Sequence, residues 1–382
     1  MKILRVISSI NPENGGPING LVNSSEILVK KDHTINVLSL DDPQADYVKE
    51  FPFPVTCFKG SFGVLQYNKD FQLWLYENVA NFDVVIIHGL WQFHGFATYK
   101  ACIKASVPYV LFSHGMLDPW FNKISKLKTL KKNIYWRFFE GAVVNNATKV
   151  LFTSEEEKIL ARTSFQPYAV KEQVVAYGSP LPTVDIPSSA VKFLDNIPHL
   201  KDKKFGLFLS RIHSKKGIDI LIEAFDRFSD TQPDFHLVIA GPDTHQLKEK
   251  LMKNCSVGIS DRIHWVGMLK GEMKWGAFHL AEFFILPSHQ ENFGIVVAEA
   301  LSTFTPTLIT NKVNIWREID SAGFVENDNV LGIERLLSRW FALTEVEKNE
   351  MGKKAHLCYQ KNFSMEAAVD SLEKTLVSIV QT

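Results

Sequence analysis

The strongest constraint on the fold is a short apolar run that stops at a proline and leads into a loop and a helix. The run is Phe283–Leu286, Pro287 ends it, and residues 288–301 are typical of a loop that opens a helix. Because a helix start exposes unpaired N–H groups and the positive end of the helix dipole, it accepts a phosphate readily. The order of strand, loop and helix therefore predicts an anion site at the start of this helix.

Two carboxylates bracket this loop and the first turns of the helix. Glu291 and Glu299 have seven residues between them, and Gly294 leaves room for a ligand to approach the backbone. Carboxylates suit sugar hydroxyls better than phosphate, which they repel, so the combination suggests a nucleotide-sugar. An exposed loop and a solvated helix face would also explain an isolated pair of glutamates. The rest of the chain has to distinguish these two interpretations.

Length and composition indicate a globular protein of two domains. The chain has 382 residues, whereas single cores stop growing near ~250–300 residues. The formal net charge is zero, which does not support bulk attraction to nucleic acid. The four cysteines lie far apart and match neither a zinc-binding spacing nor a disulfide framework, which favours a reducing cytoplasm.

The N-terminal segment is interpreted as a first strand rather than a signal peptide. Its apolar run is brief and contains Arg5, and no small-residue cleavage site follows it. No uninterrupted apolar run approaches the ~18 residues that a transmembrane helix needs. We therefore expect any association with a membrane to be peripheral.

A strand, a glycine loop and a helix also open the chain. The loop at residues 14–20 follows an apolar strand, as in dinucleotide-binding folds, but Pro17 stands where the Gly-x-Gly-x-x-Gly fingerprint requires glycine. Asp41 follows the second strand, about where the ribose-binding acid of an NAD-dependent dehydrogenase is expected. That class of enzyme therefore stays an alternative for this segment.

Two later apolar strands each end in a His-Gly pair. His88 follows the strand at residues 83–87, and His114 follows the strand at residues 107–112. Ligands of α/β sheets bind beyond the carboxyl ends of the strands, so both histidines fall where chemistry is expected. The alternative is a structural role in which each ring is hydrogen-bonded within the protein.

Residues 120–139 form a basic segment with interleaved aromatic residues. Six lysines and arginines occur here and no acid lies among them. Such a segment can lie on an anionic membrane surface, where each cation contributes about 1 kcal/mol. A solvated basic face whose aromatic side chains pack into the core is the alternative. We expect the segment to bring the protein to a lipid-linked substrate at that surface.

A second set of strand and helix signals begins after a proline-rich stretch at residues 181–204, which is interpreted as an interdomain linker. The strand at residues 205–209 leads into a loop that carries Arg211 and Lys216, and a helix with apolar residues at helical spacing follows. Two cations at the carboxyl end of a strand can hold a diphosphate and stabilise it as it leaves.

Two motifs in the second half carry a family resemblance. Residues 210–225 resemble the phosphate loop of retaining glycosyltransferases of the GT-B fold, close to family 4, and residues 291–299 resemble the Glu-x7-Glu motif of those enzymes. The resemblance implies an α/β protein of two Rossmann-like, doubly wound parallel-sheet domains that face each other across a cleft. The implied organisation is an acceptor domain over residues 1–180, the linker, a nucleotide-sugar domain over residues 205–364, and a terminal helix at residues 365–382 that packs back on the first domain.

The resemblance also implies roles for residues of the second domain. Glu291 would bind hydroxyls of the transferred sugar and Glu299 the ribose, while Gly267 and Met268 would lie near the base. The groups that neutralise the departing diphosphate would be the side chains of Arg211 and Lys216 and the amides of Asn292, Phe293, Gly294 and Ile295. Asn292 stands where the family usually has glycine, so donor identity is the property that this departure affects.

In the first domain the resemblance places Gly15 and Gly16 near the donor phosphate and the acceptor. A histidine in the position of His114 lies beside the transferred sugar and donates to a hydroxyl, and His88 and Trp91 would lie toward the acceptor. These roles come from the family pattern, and residue spacing alone does not indicate them.

The predicted function is transfer of a sugar, with retention at the anomeric carbon, from a nucleoside-diphosphate sugar to a saccharide or lipid-linked saccharide in polysaccharide biosynthesis. A UDP-sugar such as UDP-glucose is the first expectation for the donor and GDP-mannose the second. No Asp-x-Asp occurs in the chain, so we expect no metal and no cofactor. We expect a cytoplasmic protein with peripheral attachment to the inner face of the membrane. The alternatives are a nucleotide-sugar epimerase of the same fold, a dehydrogenase and a non-catalytic sugar-binding protein.

Overall fold

The computed structural model describes residues 1–61, 63–123, 126–244, 246–253, 255–256 and 258–381. The chain divides into two compact units, which we call unit 1 (Met1–Gly178 with Met365–Thr382) and unit 2 (Ser179–Ser364). Each unit is built on a parallel sheet with helices on its faces. The prediction of two doubly wound, parallel-sheet α/β units is confirmed.

The sheet of unit 1 changes direction of winding between two central strands. Its order is β3-β2-β1-β4-β5-β6-β7, and all neighbouring strands are parallel. The strands are β1 (Lys2–Ile7), β2 (Thr34–Ser39), β3 (Val55–Cys57), β4 (Val84–His88), β5 (Tyr109–Phe112), β6 (Lys149–Phe152) and β7 (Glu172–Val174). The point between β1 and β4 is a topological switch, where ligands of α/β sheets usually bind.

Helices cover both faces of this sheet, and the side chains of β1 alternate between the two faces. Ile3 and Ile7 pack with the first and the terminal helix, whereas Leu4 and Val6 pack on the opposite face. The helices are α1 (Gly16–Lys30), α2 (Asp46–Lys49), α3 (Lys69–Asn78), α4 (Phe93–Ala105), α5 (Trp120–Lys123), α6 (Lys126–Tyr135), α7 (Gly141–Asn145), α8 (Glu155–Ala161) and, from the end of the chain, α16 (Met365–Val380).

The terminal helix α16 belongs to unit 1, where it packs against α1. Leu372 and Leu376 of α16 are buried in the same core cluster as Leu21 and Leu28 of α1. At the rim, the Nζ atom of Lys31 lies 2.6 Å from carboxylates of both Asp370 and Glu373. The apolar face of α16 thus contributes to the core of unit 1.

The sheet of unit 2 repeats the doubly wound pattern in the order β10-β9-β8-β11-β12-β13. The strands are β8 (Lys204–Leu209), β9 (Phe235–Ala240), β10 (Ile263–Gly267), β11 (Phe283–Leu286), β12 (Thr307–Thr310) and β13 (Gly323–Glu326). The helices are α9 (Ile186–Asn196), α10 (Ile218–Phe228), α11 (Leu247–Met252), α12 (Gly271–Leu280), α13 (Ile295–Ser302), α14 (Val330–Phe341) and α15 (Glu345–Cys358). Its switch point lies between β8 and β11.

The segment interpreted as a linker contains helix α9. Asp185 caps this helix, since its Oδ2 atom accepts a hydrogen bond from the amide of Ser188 at 3.0 Å. Pro187 lies in the first turn, where a proline is compatible with a helix. The helix packs so closely on α12 that a Cβ atom at Gly276 would lie 2.2 Å from the carbonyl oxygen of Ser189. The buried residues Ala190, Phe193 and Ile197 follow helical spacing, so this contact and the apolar face of α9 together stabilise the helix.

Among the helices that the structure describes, none combines the length and the apolar character needed to cross a membrane.

Candidate active site

Two loops of unit 2 meet backbone to backbone at the switch point between β8 and β11. Gly217 ends the loop after β8 with φ +67°, and a Cβ atom there would lie 1.9 Å from the carbonyl oxygen of Pro287, at the end of β11. The amide of His289 donates to the carbonyl of Lys215 at 2.9 Å. Only glycine allows both the left-handed conformation and this approach without strain. The loop with the cations is therefore fixed against the loop with the first acid.

Lys216 and Glu291 form an ion pair at this junction. The Nζ atom of Lys216 is hydrogen-bonded to Oε2 of Glu291, and the side chains are only 13% and 20% exposed. Burial, and then the positive charges of Lys215 and Arg211, lower the pKa of Lys216 to about 8. Arg211 itself is exposed on the same loop.

The backbone around Glu291 is held by the loop that follows β12. The amide of Glu291 donates to the carbonyl of Lys312 at 2.9 Å, and the carbonyl of Glu291 accepts from the amide of Asn314 at 3.0 Å. Asn314 also donates from its side chain to Oδ1 of Asn292 at 3.4 Å. The position of the acid therefore depends on the loop after β12, which the sequence analysis did not include.

Helix α13 begins directly beside Glu291. Gly294 is its N-cap residue with φ +71°, and a Cβ atom at Gly294 would lie 3.2 Å from Cγ of Glu291. The predicted amides of residues 292–295 are therefore adjacent to the ion pair. A cation, a carboxylate and the positive end of a helix dipole share one loop junction, and this arrangement suits a ligand that carries both a phosphate and hydroxyls.

The second acid, Glu299, is paired with a lysine that sequence reasoning missed. Its Oε1 atom lies 2.7 Å from Nζ of Lys274 on α12, and both side chains are largely buried. Lys274 also lies over the ring of Trp275, 4.3 Å from its centroid. Lys274 is 25 residues from Glu299 in the chain, and no motif links the two positions.

The carboxyl ends of β8, β9 and β10 are joined by close backbone contacts. The amide of Gly241 donates to the carbonyl of Gly267 at 2.7 Å, and a Cβ atom at Gly241 would lie 1.8 Å from the carbonyl oxygen of Ser210. Gly267 has φ +70°, and no atom lies within 4 Å of the place where its Cβ would be. Met268 beside it is 60% exposed. The predicted base-binding residues are therefore accessible from solvent.

In unit 1 the two predicted histidines contact each other. Nδ1 of His88 lies 3.1 Å from Nε2 of His114, and the two ring planes are inclined by only 15° with centroids 5.4 Å apart. His88 is only 4% exposed, whereas His114 is partly exposed. The structure thus brings together two residues that the sequence analysis placed on separate strand ends.

A buried glutamate that sequence reasoning missed holds the loop of His114. Oε1 of Glu157 accepts hydrogen bonds from Oγ of Ser113 and from the amide of Gly115, both at 2.6 Å. Oε2 accepts from the amide and the hydroxyl of Thr153. Glu157 is also the third residue of helix α8, so its position in the sequence indicated only a helix start.

The glycine loop before α1 is accessible on one side and packed on the other. No atom lies within 4 Å of an ideal Cβ at Gly15 or Gly16. The hydroxyl of Tyr177 donates to the carbonyl of Gly16 at 2.7 Å, and a Cβ atom at Gly20 would overlap that hydroxyl. Gly15 and Gly16 therefore leave room for a ligand.

Asp41 is engaged by its own unit rather than poised to bind a ribose. Its carboxylate accepts hydrogen bonds from Oγ of Ser9 at 2.6 Å, the amide of Ile10 at 2.7 Å, Oγ of Ser39 at 2.8 Å and the hydroxyl of Tyr47 at 2.9 Å. The carboxylate is also buried. These contacts disfavour the dehydrogenase alternative.

Within the described residues, no group of three or more His, Cys, Asp or Glu side chains is arranged to hold a metal ion.

Family models match most of the chain. The model of glycosyl transferases group 1 matches residues 192–356, and the model of the glycosyl transferase 4-like domain matches residues 15–178. The chain belongs to the glycosyl transferases of group 1.

Similar proteins agree with this assignment. Mannosylfructose-phosphate synthase of Agrobacterium fabrum is 30% identical over 126 residues, which cover 30% of this chain and 27% of that protein. The lipopolysaccharide core biosynthesis mannosyltransferase LpsB of Rhizobium meliloti is 27% identical over 141 residues, 35% of this chain and 38% of LpsB. These matches therefore span well under half of the relatives' length.

A solved structure shows the same fold over the whole group 1 chain. HepE of Anabaena, in complex with UDP and glucose, superimposes with a TM-score of 0.73 at 16% identity, and the match covers 99% of this chain and 100% of HepE. The predicted GT-B fold is confirmed.

The close contact at Gly217 generates a prediction about stability. We expect Gly217→Ala to lower the free energy of unfolding by about 1 kcal/mol for left-handed strain, plus about 1–3 kcal/mol for the steric conflict with Pro287. Gly258→Ala is the matched control, since Gly258 has φ +91° but no atom near the added Cβ. Urea unfolding of both variants checks this, and equal destabilisation would contradict the proposed contact.

Proposed function

We propose that this group 1 glycosyl transferase moves a sugar from a nucleoside-diphosphate sugar to a hydroxyl of a saccharide or lipid-linked saccharide, with retention at the anomeric carbon. The observation that carries the proposal is the buried pair of Lys216 and Glu291 beside the start of α13. It offers positive charge for a diphosphate and a carboxylate for hydroxyls within one junction.

In this proposal the diphosphate binds at the first amides of α13 and takes Lys216 away from Glu291. Glu291 then accepts hydrogen bonds from the transferred sugar, and Glu299, paired with Lys274, accepts from the ribose. Arg211 adds charge from the same loop. Stabilisation of the leaving diphosphate is the main catalytic contribution, and loss of one such charged donor raises the barrier by on the order of 3–4 kcal/mol.

Retention implies that the acceptor hydroxyl attacks from the face that the diphosphate leaves. The bond from the anomeric carbon to the diphosphate oxygen breaks, the bond to the acceptor oxygen forms, and the leaving phosphate takes the acceptor's proton. The cationic side chains would supply the charge that a divalent ion supplies elsewhere, so we propose a reaction that requires no metal and no cofactor.

We propose a UDP-sugar as the donor, with a GDP-sugar as the second candidate. The similarity to HepE, whose structure contains UDP and glucose, supports UDP-glucose, and the similarity to the mannosyltransferase LpsB supports mannose as the alternative sugar. The accessibility of Gly267 and Met268 is compatible with a base at that position.

We further propose that the basic segment attaches the enzyme to the anionic, cytoplasmic face of a membrane, where a lipid-linked acceptor would lie. Leu127, Leu130 and Ile134 on α6 follow helical spacing and are 64%, 56% and 53% exposed. Phe138 is 69% exposed, whereas Trp136 is buried in the core.

Residues 124 and 125, and the side chains of Phe121, Lys123 and Lys126, lie outside what the structure describes. Lys132 lies over Trp91, 4.7 Å from its ring centroid, which links the segment to the His88 loop.

Activity measurements with sugar nucleotides test the proposed reaction. We expect Lys216→Ala and Glu291→Ala each to lower turnover by roughly 100-fold or more, because each removes one charged partner of the transferring group. Lys312→Ala is the control, since this side chain is exposed and only the backbone carbonyl of Lys312 contacts Glu291. Full turnover in either site variant would end the assignment. An epimerase would instead convert the donor when no acceptor is added.

The affinity for UDP should depend on the protonation of Lys216. With its pKa at about 8 in the ligand-free protein, Lys216 is charged below that pH and neutral above it. Binding of a diphosphate favours the charged form, so affinity falls as the pH rises, by roughly tenfold between pH 7 and pH 9. Calorimetric titration checks this, with GDP and ADP for comparison at pH 7. In Lys216→Arg the pH dependence should disappear, and a flat profile in the natural protein would contradict the role of Lys216.

Flotation with liposomes tests the membrane proposal. We expect the protein to float with vesicles that contain anionic lipid at low salt and to dissociate at high salt. The variant Lys128→Glu/Lys131→Glu should remain unbound, whereas Lys353→Glu, on the exposed surface of α15, should float like the natural protein. Absence of salt-dependent binding would remove the membrane from the proposal.

A further inference from the structure

Arg5 is a buried cation in the middle of the central strand β1. It is 2% exposed, and its side chain points to the face of the sheet that α1 covers. Its Nη1 atom donates to the carbonyl of Leu21 at 3.0 Å, to Oγ of Ser24 at 2.7 Å and to Oγ of Ser25 at 2.9 Å. Its hydrogen-bond partners among the described residues include no carboxylate. Burial of a charge without an ionic partner is costly, so Arg5 calls for a functional explanation.

The remaining donors of Arg5 converge on His88. Nε and Nη2 of Arg5 lie 3.3 Å and 3.2 Å from Nε2 of His88. A guanidinium group can only donate hydrogen bonds, so Nε2 of His88 has to be the acceptor. A neutral His88 therefore carries its proton on Nδ1.

The tautomer of His88 in turn determines the tautomer of His114. The protonated Nδ1 atom of His88 donates to Nε2 of His114 across 3.1 Å. Since Nε2 of His114 accepts this bond, a neutral His114 carries its own proton on Nδ1. No described residue is hydrogen-bonded to that Nδ1 atom. Arg5 thus fixes the direction of a chain of hydrogen bonds that ends in one N–H group on a partly exposed ring.

The environment keeps both rings neutral, so that their tautomers are defined. Burial, and then the positive charge of Arg5, lower the pKa of His114 to about 4 and hold the pKa of His88 well below its usual range. Burial lowers the pKa of Arg5 to about 9, which leaves Arg5 charged at neutral pH.

We propose that Arg5 is a positioning residue that acts through His88 to keep His114 in its Nδ1–H tautomer, so that His114 donates a hydrogen bond to a sugar hydroxyl. This inference rests on the proposed function. The clamp by Glu157 fixes the backbone of the His114 loop, and the chain from Arg5 fixes the proton on its ring. Together they present a neutral donor whose polarity does not change between about pH 4, the pKa of His114, and about pH 9, the pKa of Arg5.

Replacement of His88 by Gln or by Glu, two side chains of nearly the same shape, tests the direction of the chain of hydrogen bonds, while Arg5, which also anchors α1, is left in place. In His88→Gln the amide oxygen can accept from Arg5 and the amide N–H can donate to His114, so the direction is preserved. In His88→Glu both carboxylate oxygens accept, which moves the proton of His114 to Nε2. We expect kcat/KM of the Glu variant to lie about ten- to a hundredfold below that of the Gln variant. Equal values would overturn the proposal.

The tautomers can be read independently of activity by nitrogen-15 NMR of histidine-labelled protein at pH 8. We expect His88 and His114 both to be protonated on Nδ1 in the natural protein, and His114 to be protonated on Nε2 in His88→Glu. A natural protein in which His114 carries its proton on Nε2 would overturn the proposal even if glycosyl transfer is observed. The expected tautomers in a protein that transfers no sugar would instead overturn the proposed function, and with it the role of the donor.

Discussion

The contact between the backbone of Gly217 and the carbonyl of Pro287 is the constraint on which the rest of unit 2's site depends. It brings the end of β8 so near to the end of β11 that the side chain of Lys216 reaches Glu291 and the start of α13. Because the contact is made by backbone atoms at a glycine with positive φ, it does not rely on rotamers that a ligand could disturb. The ion pair, by contrast, consists of two side chains that can exchange partners.

Unit 1 uses the same kind of switch point for a different purpose. Arg5 lies in the middle of β1 and His88 at the end of the neighbouring strand β4, and the loop after β5 adds His114. Here the two histidine rings are neutral, and Arg5 is hydrogen-bonded to the ring of His88. The loop of His114 is held by hydrogen bonds to the buried carboxylate of Glu157. The site of unit 2 is thus built on an ion pair, whereas the histidine pair of unit 1 is neutral.

The sequence predicted the parts of this arrangement that local pattern determines. Apolar runs that end in glycine or proline identified the central strands, and the family motifs at residues 210–225 and 291–299 identified the two loops that the structure joins. Helix α9 was missed because the prolines in and around it indicated a linker, although its buried residues follow helical spacing. Lys274, Glu157 and Arg5 were missed because their partners lie on other elements of the fold. The roles of the individual site residues stay predictions.

The partner exchange at Glu291 has a consequence for turnover under the proposed function. A nucleoside diphosphate alone can draw Lys216 away, but it leaves the carboxylate of Glu291, which is 20% exposed, without either its lysine or a sugar to contact. The intact donor provides a partner for both Lys216 and Glu291, whereas the nucleoside diphosphate that is left after transfer provides a partner for Lys216 only. After transfer, Glu291 therefore competes with the product for Lys216, and reformation of the internal pair favours departure of the nucleotide.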